Sequence, residues 1–206
     1  AIPELVDVSA VLPDQAPIHV MKYEVSIAEW NRCFDDGVCQ LRLRARPDQD
    51  PARIPATGLS YVDVTEYIVW INGQTDGAFR LPTVAEWERL AEMVLPDEPD
   101  PIFTDPSLTW ASAYLLEEQG SRALRPRGAF STSPDGIVDL NGSVWEWTQD
   151  CYAGTVGGDP DRCPAFYVAG EHIAAMSFLV RDPARGGCAV GAPPAHLGVR
   201  LVKEAT

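Results

Sequence analysis

The sequence predicts an α+β domain, and three observations carry that prediction. Ser26, Ser60 and Thr83 each stand three residues before an acid and open a run with helical spacing. Many short strand-like apolar runs lie outside these helices. Proline and glycine, 18 and 16 of 206 residues, punctuate the intervals and mark turns. With 46% hydrophobic and 22% charged residues, the chain can bury one sizeable core. We divide it into an N-terminal arm, 1–17, and a single domain, 18–206.

Taken in order, the arm holds three prolines and an alternation in Ile2, Leu5, Val6, Val8 and Val11 that fits an edge strand. A strand is expected over Ile18 to Val25. It leads into a helix opened by the capping box Ser26/Glu29, which buries Ile27, Trp30 and Cys33/Phe34. Residues 40–57 carry four arginines without apolar periodicity and read as a loop able to face a partner. A second, amphipathic helix runs from Ser60/Asp63 through Tyr67, Ile68 and Ile71 to a stop at Asn72-Gly73. In the third, Thr83 and Glu86 form the box and Trp87, Leu90 and Ala91 the packed face.

The stretch Gly136 to Asp150 concentrates chemistry. Trp145 and Trp147 share a face if it is extended, and Asp139 and Glu146 flank the Asn141-Gly142 turn. Carboxylates beside inward-turned carbonyls suit a hard cation such as calcium; the alternative is a plain surface turn ending in a core strand.

A net charge of -14 disfavours nucleic acid and anionic membranes as main partners, since both repel it. No apolar run approaches the roughly 18 residues of a membrane span. The start Ala1-Ile-Pro-Glu lacks the features of a signal peptide, and the missing initiator Met reads as a processed or trimmed N-terminus. Five cysteines remain to be placed. Cys33 and Cys39 bracket a short loop, and Cys151 and Cys163 a Gly/Asp/Pro-rich one, so two local disulfides with Cys188 free is the preferred pairing. Disulfides imply a periplasmic or secreted protein; five buried thiols in a reducing compartment is the alternative. The spacings fit no zinc pattern.

Five blocks occur in a telling order: Tyr-Glu-Val-Ser at 23–26, Arg-Leu-Pro-Thr-x-x-Glu-Trp-Glu at 80–88, Gly-Ser-Val-Trp-Glu-Trp at 142–147, Arg-Gly-Gly at 185–187 and Leu-Gly-Val-Arg-Leu at 197–201. Together they resemble the formylglycine-generating-enzyme, or sulfatase-modifying-factor, family over residues about 18 to 203. The resemblance implies that family's variant of the C-type-lectin-like fold, with twisted antiparallel sheets, a few short helices and much ordered coil. It also implies a calcium site, with Asp139 and Glu146 as side-chain ligands and carbonyls from Gly142 and Val144. Ser143 stands where the family usually has Asn. A second family calcium site maps near Ser112 and Ala113 but lacks its usual Asn, and we do not assign it.

The family's oxidation of a substrate cysteine uses two cysteines after the Arg-Gly-Gly block that bind copper(I). Here Cys188 follows alone, and the segment before Gly198-Val-Arg200 is shortened, so no catalytic residue is assigned. Cys188 near Arg185 is a reactive thiol or a small buried residue, and we favour the latter. His196, eight residues on, is not assigned as its metal partner, and His19 and His172 lack triad or metal-site neighbours. The six tryptophans, Trp30, Trp70, Trp87, Trp110, Trp145 and Trp147, are assigned to the core rather than to a glycan platform; Trp110 is the hardest to place.

Two functional classes follow. One is a non-catalytic, calcium-stabilised binding or accessory module that shows the loops 40–57, 96–136 and 152–185 to another protein, a glycan being the lesser candidate. The other is a divergent oxidoreductase that tailors a protein or small molecule without the copper pair. No other base, nucleophile or metal constellation stands out, which favours the module.

Overall fold

The computed structural model describes residues 3–9, 11–75, 77–96, 123–152, 163–183, 187–188 (backbone) and 196–205. Three helices and two sheets make up its regular structure. All three helices begin at the capping boxes read from the sequence. In α1 (Ile27–Asp35), α2 (Tyr61–Gln74) and α3 (Val84–Ala91), the N-cap side chain accepts from the N3 amide and the N3 carboxylate accepts from the N-cap amide. The caps satisfy amides that would otherwise lack partners in the first turn, so the starts are local properties. The end of α2 is not. It passes the expected Asn72-Gly73 stop because the Asn72 side chain brackets Phe79, donating to its carbonyl at 2.9 Å and accepting its N–H at 2.8 Å. Its amphipathic pattern is also incomplete, with Val62 and Val69 outward.

The smaller sheet has the order β1-β2-β8, from β1 (Leu5–Val8), β2 (Ile18–Met21) and β8 (Val202–Glu204), all antiparallel. The arm's residues 5–8 thus form an edge strand. Strand β2 stops at Met21, short of the expected Val25, where the Met21 carbonyl accepts from Arg200 and that of Lys22 from both Arg200 and the Val138 amide. The larger sheet has the order β6-β5-β4-β3-β7. It is built from β3 (Val144–Cys151), β4 (Ala165–Ala169), β5 (Ile173–Ser177), β6 (Gly187–Cys188) and β7 (His196–Gly198). Strand β7 runs parallel to β3, whereas the other pairings are antiparallel.

Strand β3 divides two cores. Trp145 and Trp147 enter the larger one with Trp30, Tyr67, Trp70 and Leu59, while Glu146 turns to the side where Trp87 sits among Ile18, Val20, Leu90, Ile137 and Leu140. The Trp147 indole N–H donates to the Leu59 carbonyl at 2.8 Å, so burying this ring leaves no donor unmet. Five of the six tryptophans are buried as expected, and Trp110 lies outside the described residues. Two disulfides form at the expected pairs, Cys33–Cys39 and Cys151–Cys163, with Cα–Cα separations of 5.2 and 5.8 Å. The first closes the chain just beyond α1, where Val38 and Cys39 amides both donate to the Cys33 carbonyl.

Gly170 lies against Trp145 so closely that an added Cβ would fall 2.4 Å from the indole ring. Gly170→Ala must displace that ring or the β4–β5 turn. It is expected to cost about 1–3 kcal/mol, read as a lower thermal midpoint together with a changed near-ultraviolet tryptophan spectrum.

Candidate functional site

The most densely connected polar group in the described core is Arg200, whose charge partner is Glu146 on β3. Parallel pairing sets Glu146 beside Gly198 of β7, and two residues later the chain delivers Arg200 to it. Gly198 is required there, because a Cβ would lie 2.5 Å from Val144 and 2.9 Å from the Ala56 carbonyl. Arg200 and Glu146 are both 0% exposed. The guanidinium Nε donates to both carboxylate oxygens, at 3.0 and 3.2 Å, and Nη2 lies 3.0 Å from Oε1. Nη1 donates to the carbonyls of Met21 and Lys22, and Nη2 to that of Val138, each at 2.8 Å. The Trp87 indole N–H completes the carboxylate's shell, donating to Oε2 at 2.8 Å. One cation therefore ties the end of β2, the loop before β3, β3 itself and the C-terminal segment, with α3 joined through Trp87.

Glu24 approaches the same guanidinium without bonding to it. Its Oε2 lies 3.7 Å from Nη2, is buried, and has no hydrogen-bond partner. Burial pushes its carboxyl up from 4.5 to about 8, with Glu146 and Asp139 adding to the rise and Arg200 opposing it. Burial thus favours the protonated form of Glu24, and the hydrogen-bonded charge pair is Glu146 with Arg200.

The four expected calcium positions fall differently. Asp139 adopts φ +61°, and its carboxylate accepts from the amides of Gly128 at 2.5 Å, Phe130 at 2.9 Å and Ser131 at 3.2 Å. It clamps the 128–131 loop onto the turn. Gly142 packs on that turn, where a Cβ would lie 2.8 Å from the Asp139 carbonyl, and Val144 opens β3 opposite His196. In this arrangement a calcium ion would have to compete with contacts already made. Both carboxylates already accept from N–H donors, and Arg200 already supplies the positive charge at Glu146. Among the described residues, no three His, Cys, Asp or Glu side chains are grouped to hold a metal ion. Ser112 and Ala113 lie outside the described residues.

Cys188 and His196 are not brought together. The backbone puts Cys188 on β6 and His196 on β7, the two edge strands of the larger sheet, separated by three strands. Four strand spacings amount to roughly 19 Å. His172 packs edge-on to Trp145, ring centroids 4.6 Å apart, and His19 pairs with Asp7 at 2.5 Å across β1 and β2.

The residues that sequence reasoning passed over are Arg200 and Glu24, along with Trp87's role as a donor. Their signal was present: a charged residue inside the apolar runs Leu197-Gly-Val-Arg-Leu and Tyr23-Glu-Val. A charge in such a run is buried with a partner or not buried at all.

Arg200→Met leaves Glu146 buried without its cation and is expected to cost about 3–5 kcal/mol in urea unfolding. Adding Glu146→Gln should recover part of that loss. Glu24 carries the opposite sign from an ion-paired acid. Its folded-state proton is released on unfolding above pH 4.5, so its contribution is full below that value and is lost as pH rises through about 8. The stability of Glu24→Gln relative to wild type should therefore increase across this window; a difference that is flat with pH would show that Glu24 is ionised throughout.

The comparisons agree with this architecture. The profile of the sulfatase-modifying factor enzyme 1-like domain matches residues 13–205. The formylglycine-generating enzyme of Mycobacterium tuberculosis is 28% identical over 137 residues. That match takes in 60% of this chain and 44% of the relative, so the chain spans less than half the length of that protein. Among solved structures, PvdO from Pseudomonas aeruginosa superposes with a TM-score of 0.60 at 18% identity, covering 99% of this chain and 93% of PvdO. CarF superposes with 0.59 at 17% identity, over 100% and 95% of the two chains. Treponema denticola variable protein 1 gives 0.55 at 15%, over 98% and 95%. At these identities the structures speak to the fold, which is the C-type-lectin-like fold in its formylglycine-generating-enzyme form. By the match over residues 13–205, this chain belongs to the sulfatase-modifying factor enzyme 1-like family.

Proposed function

We propose that the chain is a non-catalytic binding or accessory module of this family, working as a subunit or partner of another protein outside the cytoplasm. The observation that supports it is the pairing of the cysteines. Disulfides Cys33–Cys39 and Cys151–Cys163 take four of the five, which leaves Cys188 alone after Arg185-Gly186-Gly187. The copper(I) chemistry expected from the family needs two thiolates at one ion, and a lone thiolate supplies half of that donor set. Disulfides also fit an oxidising compartment, hence a periplasmic or secreted protein. A rigid two-core scaffold with the irregular segments 40–57 and 123–136 on its surface suits display to a partner.

Calcium stabilisation through Asp139, Gly142, Val144 and Glu146 belongs to the same proposal and has its own requirement: the ion must take Glu146 from Arg200. Melting with calcium and with chelator separates the cases. A chelator-induced fall that Asp139→Ala abolishes supports the ion, and superimposed curves assign the cationic role to Arg200 alone.

The function itself is tested on protein purified from its native source. A stoichiometric protein partner is expected, together with no conversion of a cysteine-containing peptide to its aldehyde when copper(I) and oxygen are supplied. Copper or iron near one per chain, or aldehyde formation above background, would establish a divergent oxidoreductase instead.

A further inference from the structure

Beyond α1 the chain runs as a ribbon whose one side is sewn to the helix. The Trp30 indole N–H donates to the Leu41 carbonyl at 2.7 Å. Asn31 then brackets Leu43, with Nδ2 donating to its carbonyl and its N–H donating to Oδ1, both at 3.0 Å. Both main-chain groups of Leu43 thus point the same way, as in an extended strand. Side chains alternate to match. Leu41 and Leu43 pack on the larger core, while Arg42, Arg44 and Arg46 are exposed.

Among the described residues the opposite edge is open over a short length. Extended backbone turns the N–H and C=O of Arg42 and Arg44 away from α1, and neither residue's main-chain groups have a partner among the described residues. The ends are closed. The Gln40 N–H donates to Glu66 at 2.9 Å, and Arg46 turns back onto Gln49, donating to its Oε1 at 3.1 Å and accepting its N–H at 3.0 Å. On a chain of net charge -14, three arginines at alternate positions concentrate positive charge. Arg42 leans on Phe34 and Asp35, and Arg46 lies 3.9 Å from Asp48. Arg44 meets no carboxylate among the described residues.

We propose that the Arg42–Arg44 edge receives an extended acidic segment of a partner protein, added beside the ribbon as a short strand with Asp or Glu at alternate positions facing the arginines. Only a peptide backbone offers donors and acceptors at this repeat, which favours a polypeptide over a nucleic acid or a lipid surface. The inference rests on the binding-module reading and names the chemistry of the partner. Screening makes the charge component sensitive to salt, whereas the main-chain pairing is not.

The probe is a short labelled peptide of alternating Glu and Val, with a Lys/Val peptide as control, in anisotropy titrations and amide hydrogen exchange. Saturable binding of the acidic peptide alone is expected, with slowed exchange at the Arg42 and Arg44 amides and none at Leu43, whose amide is already bonded to Asn31. Arg44→Glu should weaken binding about tenfold, and Arg44→Lys should stay near wild type. No saturable binding, equal binding of the Lys/Val peptide, or unchanged exchange at Arg42 and Arg44 overturns the proposal. So does a self-associating chain that Arg44→Glu renders monomeric, since the edge would then serve a second copy. A native partner retained equally by wild type and Arg44→Glu removes the ribbon but leaves the binding-module reading standing. A chain that purifies without a partner removes that reading, while the peptide result stands by itself.

Discussion

The guanidinium of Arg200 is the joint on which the rest of the chain depends. It is fully buried, and each of its N–H groups has an acceptor: Glu146 on β3, the carbonyls of Met21 and Lys22 after β2, and that of Val138 before the turn into β3. Desolvating a charge so completely is expensive, and the cost is met only because this one position satisfies several segments at once. The C-terminal segment is thereby locked against the start of the domain, 178 and 179 residues away along the chain. A close-packed apolar core can shift in small steps, whereas a fork of directed hydrogen bonds admits one arrangement.

Around this joint, the remaining polar groups sort by what they can accept. Asp139 spends its oxygens on three amides of the 128–131 loop, and Trp87 and Arg200 fill the shell of Glu146. Oε2 of Glu24 is left without a hydrogen-bond partner, and burial outweighs the opposing charge of Arg200 in raising its pKa.

Sheet order keeps the remaining chemistry apart. Cys188 and His196 are eight residues apart in the chain yet lie on opposite edges of the larger sheet. The ribbon beyond α1 is organised by two side chains, Trp30 and Asn31, that act as a neighbouring strand would. This is how an irregular segment can hold an open edge without belonging to a sheet. Its arginines stand out because the surrounding chain is acidic, and Asp35 and Asp48 answer two of the three.

By itself the sequence determined the local features: three capped helix starts at Ser26, Ser60 and Thr83, the disulfides across short loops, the buried tryptophans and the family to which the chain belongs. These rest on contacts between residues close in the chain, or on ordered motifs, and both are written in linear order. Tertiary structure alone decided that β7 runs parallel to β3, that β2 ends at Met21, that α2 passes Asn72-Gly73, and that Glu146 faces Arg200. Each of these depends on a partner elsewhere in the fold. Phe79 occupies Asn72, Arg200 takes two carbonyls from β2's end, and a guanidinium meets a carboxylate 54 residues away. Charge in an apolar run told us that a partner must exist; only the packing of β3 between two cores decided which one.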